Sequence, residues 1–185
     1  MDGNDTYARA LIRNLNEAGI AILERRALEG IENAKSSHSI DFIRLSYDAL
    51  FNDYIAHAIK LFERSNQAVS FWYLHRCQAG IIDKFIKKEN INISLIHKAT
   101  DSLAHVRNKT HFHLDKKRVF DPSEVWNEAN ITGKELALAI DDTWKILEHL
   151  HFKIHSKYFG LPEYNGEDAT KIIKAGQEAG ILPSW

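Results

Sequence analysis

Apolar residues recur at three- and four-residue steps along most of this chain, a spacing typical of amphipathic helices. The spacing predicts a first helix from about Asp5 to Glu32, a second from about Ile40 to Glu63 and a third from about Gln67 to Lys88. The aromatic segment 69–74 also fits a strand, but the length and period of the apolar positions after it favour a helix. No segment alternates cleanly at two residues, so the predicted fold class is all-α.

The second half of the chain continues the helical pattern. A long helix is predicted from Ser94, as its N-cap, to Lys117. Asp121-Pro122-Ser123-Glu124 is typical of a helix start, and Thr132 to Glu135 opens the last long helix, which should run to about Tyr158. A short helix is predicted from Glu167 to Ala179. We therefore expect an antiparallel bundle of four to five long helices with short extra helices.

The length of the chain sets the expected domain organisation. At 185 residues it can bury one proper core. We expect residues 1–162 to form one helical domain, with its core at about 40–158. Residues 163–185 should form a loop and a short helix that pack on the bundle or on a partner.

Charge and cysteine content narrow the class of protein. The net charge of −1 gives no global attraction to nucleic acid, so a nucleic-acid site has to be a local basic patch. The single cysteine, Cys77, rules out an intrachain disulfide and is expected to be a small buried residue on a helix rather than a catalytic thiol. No signal-peptide pattern and no long apolar run is present, so we expect a cytoplasmic protein without a membrane span.

A dense polar cluster lies near the end of the Ser94–Lys117 helix. Arg107, Asn108, Lys109, His111 and His113 fall within seven residues. On an ideal helix Arg107 and His111 lie together on one edge of the apolar face, and His113 lies on the other edge. The core side of this helix is predicted to consist of Ala99, Leu103, Val106, Thr110 and Leu114.

Two interpretations of this cluster are open from the residues alone. Basic side chains complement the negative end of a helix dipole, so the cluster is compatible with an ordinary helix end. Alternatively, the cluster is a site for phosphodiester cleavage. That reaction requires proton transfer, which histidine performs near neutral pH, and a cation that binds the phosphate oxygens, as arginine does. One Arg and one His supply half of such a site, so a homodimer with the site at its interface is expected in the second interpretation.

The other histidines and the glycines give no second site. His151 and His155 are four apart and can share one face of a helix, but no carboxylate motif accompanies them, so a solvated or partner-facing strip is favoured and no metal site is predicted. No glycine-rich phosphate loop is present. We expect no cofactor.

The segment from Arg107 to His113, R-N-K-T-H-F-H, resembles the signature of the HEPN superfamily. That signature is an Arg, usually followed by Asn, Asp or His, with a His after four to six intervening residues, late in a long helix of an α-bundle. Here five residues lie between Arg107 and His113, whereas only three lie between Arg107 and His111. The segments H-L-D-K-K, F-D-P and I-T-G-K-E-L that follow resemble the abortive-infection (phage-defence) branch. The resemblance covers about residues 40–158.

This resemblance implies a metal-independent endoribonuclease, of a toxin or antiviral-defence type, that acts as a homodimer on RNA. It implies that Arg107 and His113 are catalytic, with His111 as an auxiliary or a rival. Asn108, Lys109, Lys116 and Lys117 would bind the substrate. An antitoxin or regulatory partner protein is compatible with it. The alternatives are a non-catalytic helical module that binds nucleic acid or a partner through the same basic surface, and a purely structural dimer.

Overall fold

The computed structural model describes residues 3–34, 41–111, 122–180 and 182, and these residues form helices without any strand. The all-α prediction is confirmed for this part of the chain. The helices are α1 (Gly3–Asn33), α2 (Asp41–Phe62), α3 (Phe71–Glu89), α4 (Ile93–Val106), a π-helical turn (Arg107–His111), α5 (Pro122–Ala129), α6 (Gly133–His155) and α7 (Glu167–Glu178).

The chain divides into two compact units. The first unit comprises Met1–Ala18 and His57–Gly160, and the second comprises Gly19–Ala56 and Leu161–Trp185. The first unit therefore contains α3 to α6 together with the start of α1 and the end of α2. The division expected from the sequence, at residue 162, stays a prediction.

The apolar stripes predicted for α1 and α2 are largely buried. Leu11, Leu15 and Ala18 of α1 have no exposed surface, and Phe62 at the end of α2 is 1% exposed. Apolar spacing also predicts Leu45 on the buried side of α2, and this prediction is wrong, because its side chain is 62% exposed. Helical spacing alone does not tell which apolar residues at a helix end find a packing partner.

Helix α3 begins four residues later than predicted, because residues 63–70 form a non-helical connection with a turn at 66–67. The hydroxyl of Ser70 donates to the carbonyl oxygen of Glu63, and the amide of Asn14 in α1 donates to the carbonyl oxygen of Val69 at 2.6 Å. These two bonds give backbone carbonyl groups of residues 63 and 69 a hydrogen-bond partner outside a helix. Ser70 is the N-cap of α3. Phe71 and Trp72 are buried, as core packing of the aromatic segment requires.

Helix α4 packs against α5 and α6 in the first unit. The hydroxyl of Ser102 donates to the carbonyl oxygen of Ala129 at 2.6 Å, and the ammonium of Lys98 bonds the carboxylate of Glu135 at 2.6 Å. The bond from Lys98, with those from Thr132, lowers the pKa of Glu135 to about 2. Helix α6 ends at His155, before the predicted Tyr158, because Ser156 takes a left-handed conformation.

The start of α6 is a capping box, as the sequence predicts. The hydroxyl of Thr132 accepts from the backbone N–H of Glu135, and the Glu135 carboxylate accepts from the backbone N–H of Thr132. We expect Thr132→Ala to lower the free energy of unfolding by about 1 kcal/mol, measured by urea denaturation. Thr132→Ser, which keeps the hydroxyl, is the control, and equal losses in the two variants would contradict the capping role.

In the second unit, α1 and the start of α7 meet at two glycines. A Cβ atom on Gly30 would lie 2.1 Å from the carbonyl oxygen of Gly166, so the two backbones touch at a distance that only glycine permits. The hydroxyl of Thr170 donates to the carbonyl oxygen of Gly30 at 2.6 Å. Nearby, Ile31 and Ile173 belong to a small apolar core.

Among the described residues, no helix combines the length and the apolar character that crossing a bilayer requires.

Candidate functional site

Helix α4 carries the polar cluster and anchors it through its apolar face. Its N-cap is Asn92, whose side chain accepts from the backbone N–H of Leu95. The prediction of Ser94 at this position is therefore wrong by two residues. Ala99, Leu103 and Val106 are buried, which confirms the predicted core side for these three. The side chains of Thr110 and Leu114 lie outside the described residues.

The helix changes character where the cluster begins. Arg107 to His111 form a π-helical turn, in which each backbone bond spans five residues instead of four. Single π-helical turns occur frequently at functional sites. The wider turn also means that the α-helical spacing, which places His111 beside Arg107, does not apply between these two residues.

The Arg107 side chain is half-buried and is held on two sides. Its Nη1 atom pairs with the Glu63 carboxylate, at the end of α2. Its Nε and Nη2 atoms donate to the Oδ1 atom of Asn108 at 3.2 and 3.1 Å. Glu63 is itself positioned, since its Oε1 accepts from the backbone N–H of Ser65 at 3.1 Å. The guanidinium is thus oriented in advance, while 29% of the side chain stays accessible.

A cavity of about 650 Å³ lies in front of this guanidinium. Arg107 and Asn108 line it together with Arg13, Lys60 and Glu63. The site therefore holds three cations and one carboxylate, a balance that attracts an anion such as a phosphodiester.

Two of these cations already have a weak partner. Arg13 and Lys60 pair with Glu17 at 3.8 and 3.5 Å, and the two side chains are 65% and 49% exposed. Glu17 is itself only 14% exposed, and its shortest contact is to Nδ1 of His57 at 2.6 Å. The contacts to Arg13 and Lys60 are longer, and because these two side chains are exposed, a phosphate can approach them.

A second, smaller cavity of about 170 Å³ is also lined by Arg107, together with Arg64 and Asp101. Arg64 pairs with Asp101 at 2.6 Å and donates to Nδ1 of His97 at 2.5 Å. Burial, followed by the charge of Arg64, lowers the pKa of His97. His97 is therefore neutral at pH 7, and its Nδ1 accepts the bond. Arg64, Asp101 and His97 are thus held together by bonds within this second cluster.

The structure brings together only part of the predicted site. Arg107 and Asn108 are adjacent and bonded, and Lys109 is half-buried in the same turn. His111 is described only in its backbone. His113, Lys116 and Lys117 lie outside the described residues, so their predicted roles stay predictions.

Sequence reasoning missed Glu63, which holds Arg107. Glu63 lies 44 residues before Arg107, and the two side chains pair because the fold brings the segment just after α2 beside the π-helical turn. A glutamate at a helix end carries no local signal of such a role.

Cys77 and the histidines of α6 are not among the residues that line the cavity at Arg107. The rings of His151 and His155 are 4.5 Å apart, and His151 is 4% exposed, so it belongs to the interior rather than to a solvated strip. Cys77 is exposed on α3, which makes the prediction of a buried residue wrong. His149 stacks on Phe85 with ring centroids 4.1 Å apart, and burial lowers its pKa.

Comparisons of the chain with protein-family models, with curated proteins and with solved structures gave no match.

Proposed function

We propose that this protein is a metal-independent endoribonuclease of the HEPN type, acting in toxin or antiviral defence as a homodimer. The observation that carries the proposal is the arrangement of Arg107, which Glu63 and Asn108 hold at the wall of a cationic cavity. An arginine oriented before the substrate arrives can stabilise the extra negative charge of a pentacoordinate phosphorus without reorganising.

The proposed chemistry needs one proton acceptor and one proton donor. His113 removes the proton from the ribose 2′-hydroxyl, and the oxygen attacks the adjacent phosphorus. The 5′-oxygen of the next nucleotide leaves with a proton from a second histidine, which a two-fold partner supplies. The products are a 2′,3′-cyclic phosphate and a free 5′-hydroxyl, and Arg107 neutralises the phosphorane-like transition state.

The test is cleavage of a labelled single-stranded RNA by the wild-type protein in excess EDTA. We expect a product that ends in a 2′,3′-cyclic phosphate, and an unchanged rate when EDTA is added, since the proposed step uses no metal. Salt-sensitive RNA binding without any product, at high protein concentration, would contradict the enzyme.

One observation favours a non-catalytic binding module as the second candidate. Arg107 already has a carboxylate partner in Glu63, as an arginine with a purely structural or binding role would. In that case the cationic cavity binds the RNA backbone, and affinity falls steeply with salt while no bond is cleaved.

A further inference from the structure

A second large cavity, of about 850 Å³, lies in the first unit between α1 and the end of α6. Its lining comes from residues 8–17 of α1 and from residues 151–159. Ligand-binding cavities in proteins commonly have volumes between about 300 and 1,000 Å³, so this one has room for a nucleotide. The proposed chemistry at Arg107 uses none of its α6 residues.

One wall of this cavity is aromatic and fixed in place. The Nδ1–H group of buried His151 donates to the carbonyl oxygen of Lys157 at 2.8 Å, which holds the chain after α6 against the helix. Phe159 packs edge-on against His151, with ring centroids 5.5 Å apart. Tyr158 stacks on Phe152 at 4.9 Å and remains 66% exposed. A flat, accessible ring of this kind can stack with a nucleobase.

Cations outnumber carboxylates among the residues that line the cavity. Arg9 and Arg13 project from α1 together with Glu17, and Lys157 lies next to the aromatic wall. Arg9 pairs with Asp5 at 2.9 Å, and both side chains are exposed, so this pair is weak. Arg13 is 65% exposed and lies 3.8 Å from Glu17, a mostly buried carboxylate whose shorter contact is to His57 at 2.6 Å. A phosphate group can therefore compete for both arginines.

Arg13 connects this cavity to the site at Arg107, because it lines both cavities. Cations beside an aromatic wall are the combination by which proteins bind single-stranded nucleic acid. We propose that the 850 Å³ cavity is a nucleotide subsite for the single-stranded RNA substrate. One base stacks on Tyr158, its phosphate contacts Arg13 and Lys157, and the strand continues to Arg107. The choice of RNA as the ligand rests on the proposed function.

The experiment measures the binding of a fluorescein-labelled single-stranded RNA of about twelve nucleotides, a typical site size, by fluorescence anisotropy in EDTA. The full-length His113→Ala protein serves as the parent, so that cleavage is slow compared with the binding measurement. Tyr158→Ala should weaken binding about tenfold, because it removes the stacking surface. Tyr158→Phe, which keeps the ring, should bind like the parent.

The phosphate contact has its own readout. Lys157→Ala should lower the slope of log affinity against log salt by about 0.7, the value for one phosphate contact on a single strand. Lys153→Ala removes the same charge from an exposed position of α6 outside the cavity and should leave the slope unchanged.

Binding by Tyr158→Ala equal to that of the parent would overturn the subsite. The two proposals fail separately. RNA cleavage by the wild type together with Tyr158-independent binding would contradict only the subsite. Tyr158-dependent RNA binding without cleavage by the wild type would contradict only the ribonuclease.

Discussion

Arg107→Ala is expected to lower the rate of RNA cleavage by about 10²- to 10³-fold, the effect of removing one preorganised group that stabilises developing charge. The change should leave the fold intact, since Arg107 keeps 29% of its side chain exposed and its loss frees Glu63 to meet water. The measurement is the single-turnover cleavage rate, with circular dichroism to verify folding.

A matched control separates this effect from a general loss of positive charge. Arg76 lies exposed on α3 in the same unit, away from the cationic cavity, and Arg76→Ala removes the same charge. We expect it to cleave like the wild type. If both variants lost the same fraction of the cleavage rate, Arg107 would act only through the net charge of the protein.

The histidine substitutions complete this test. His113→Ala should lower the cleavage rate by about 10²- to 10⁴-fold, because the proton acceptor is lost. His111→Ala should have a smaller effect if His111 is auxiliary. A larger loss of cleavage rate in His111→Ala would show that His111 is the catalytic histidine. Full activity of His113→Ala would contradict the proposed role of His113.

Gly30→Ala is expected to destabilise the protein by about 3 kcal/mol. The new Cβ would lie 2.1 Å from the carbonyl oxygen of Gly166, and backbone atoms cannot move away as a flexible side chain can. Gly166, which faces Gly30, has φ of +78°, a backbone conformation that residues other than glycine rarely adopt. The backbone at Gly166 therefore cannot easily shift to make room. The measurement is the free energy of unfolding from urea denaturation.

Gly80→Ala provides the control of opposite sign. Gly80 lies inside α3, and a Cβ added there would meet no atom within 4 Å. Alanine should therefore stabilise the helix by about 0.5–1 kcal/mol, because glycine loses more backbone entropy on folding. If Gly30→Ala changed the free energy of unfolding by no more than Gly80→Ala does, the close approach of the two backbones would be contradicted.

The helices could be predicted because their signals are local. Apolar spacing located the buried stripe of α1, and the Thr132 to Glu135 motif located the start of α6. The start of α3 was missed because Asn14, in a distant helix, stabilises the turn before it. Periodicity places a residue on a helix face, but it does not tell whether another helix covers that face.

The same limit applies to the site. Arg107 and Asn108 were found because chemistry-bearing residues crowd into a few positions of one helix. Glu63 was missed because its pairing with Arg107 exists only in the folded chain. The π-helical turn was also missed, since an α-helical pattern continues through the residues that form it.

The exposure of Cys77 affects how the proposed homodimer has to be measured. It is the only cysteine, and its thiol is accessible on α3. In an oxidising buffer two copies can join through a disulfide at this position, and the product has the mass of a dimer whether or not the subunits recognise each other. Sedimentation in a reducing buffer, or with Cys77→Ser, therefore reports on non-covalent association alone.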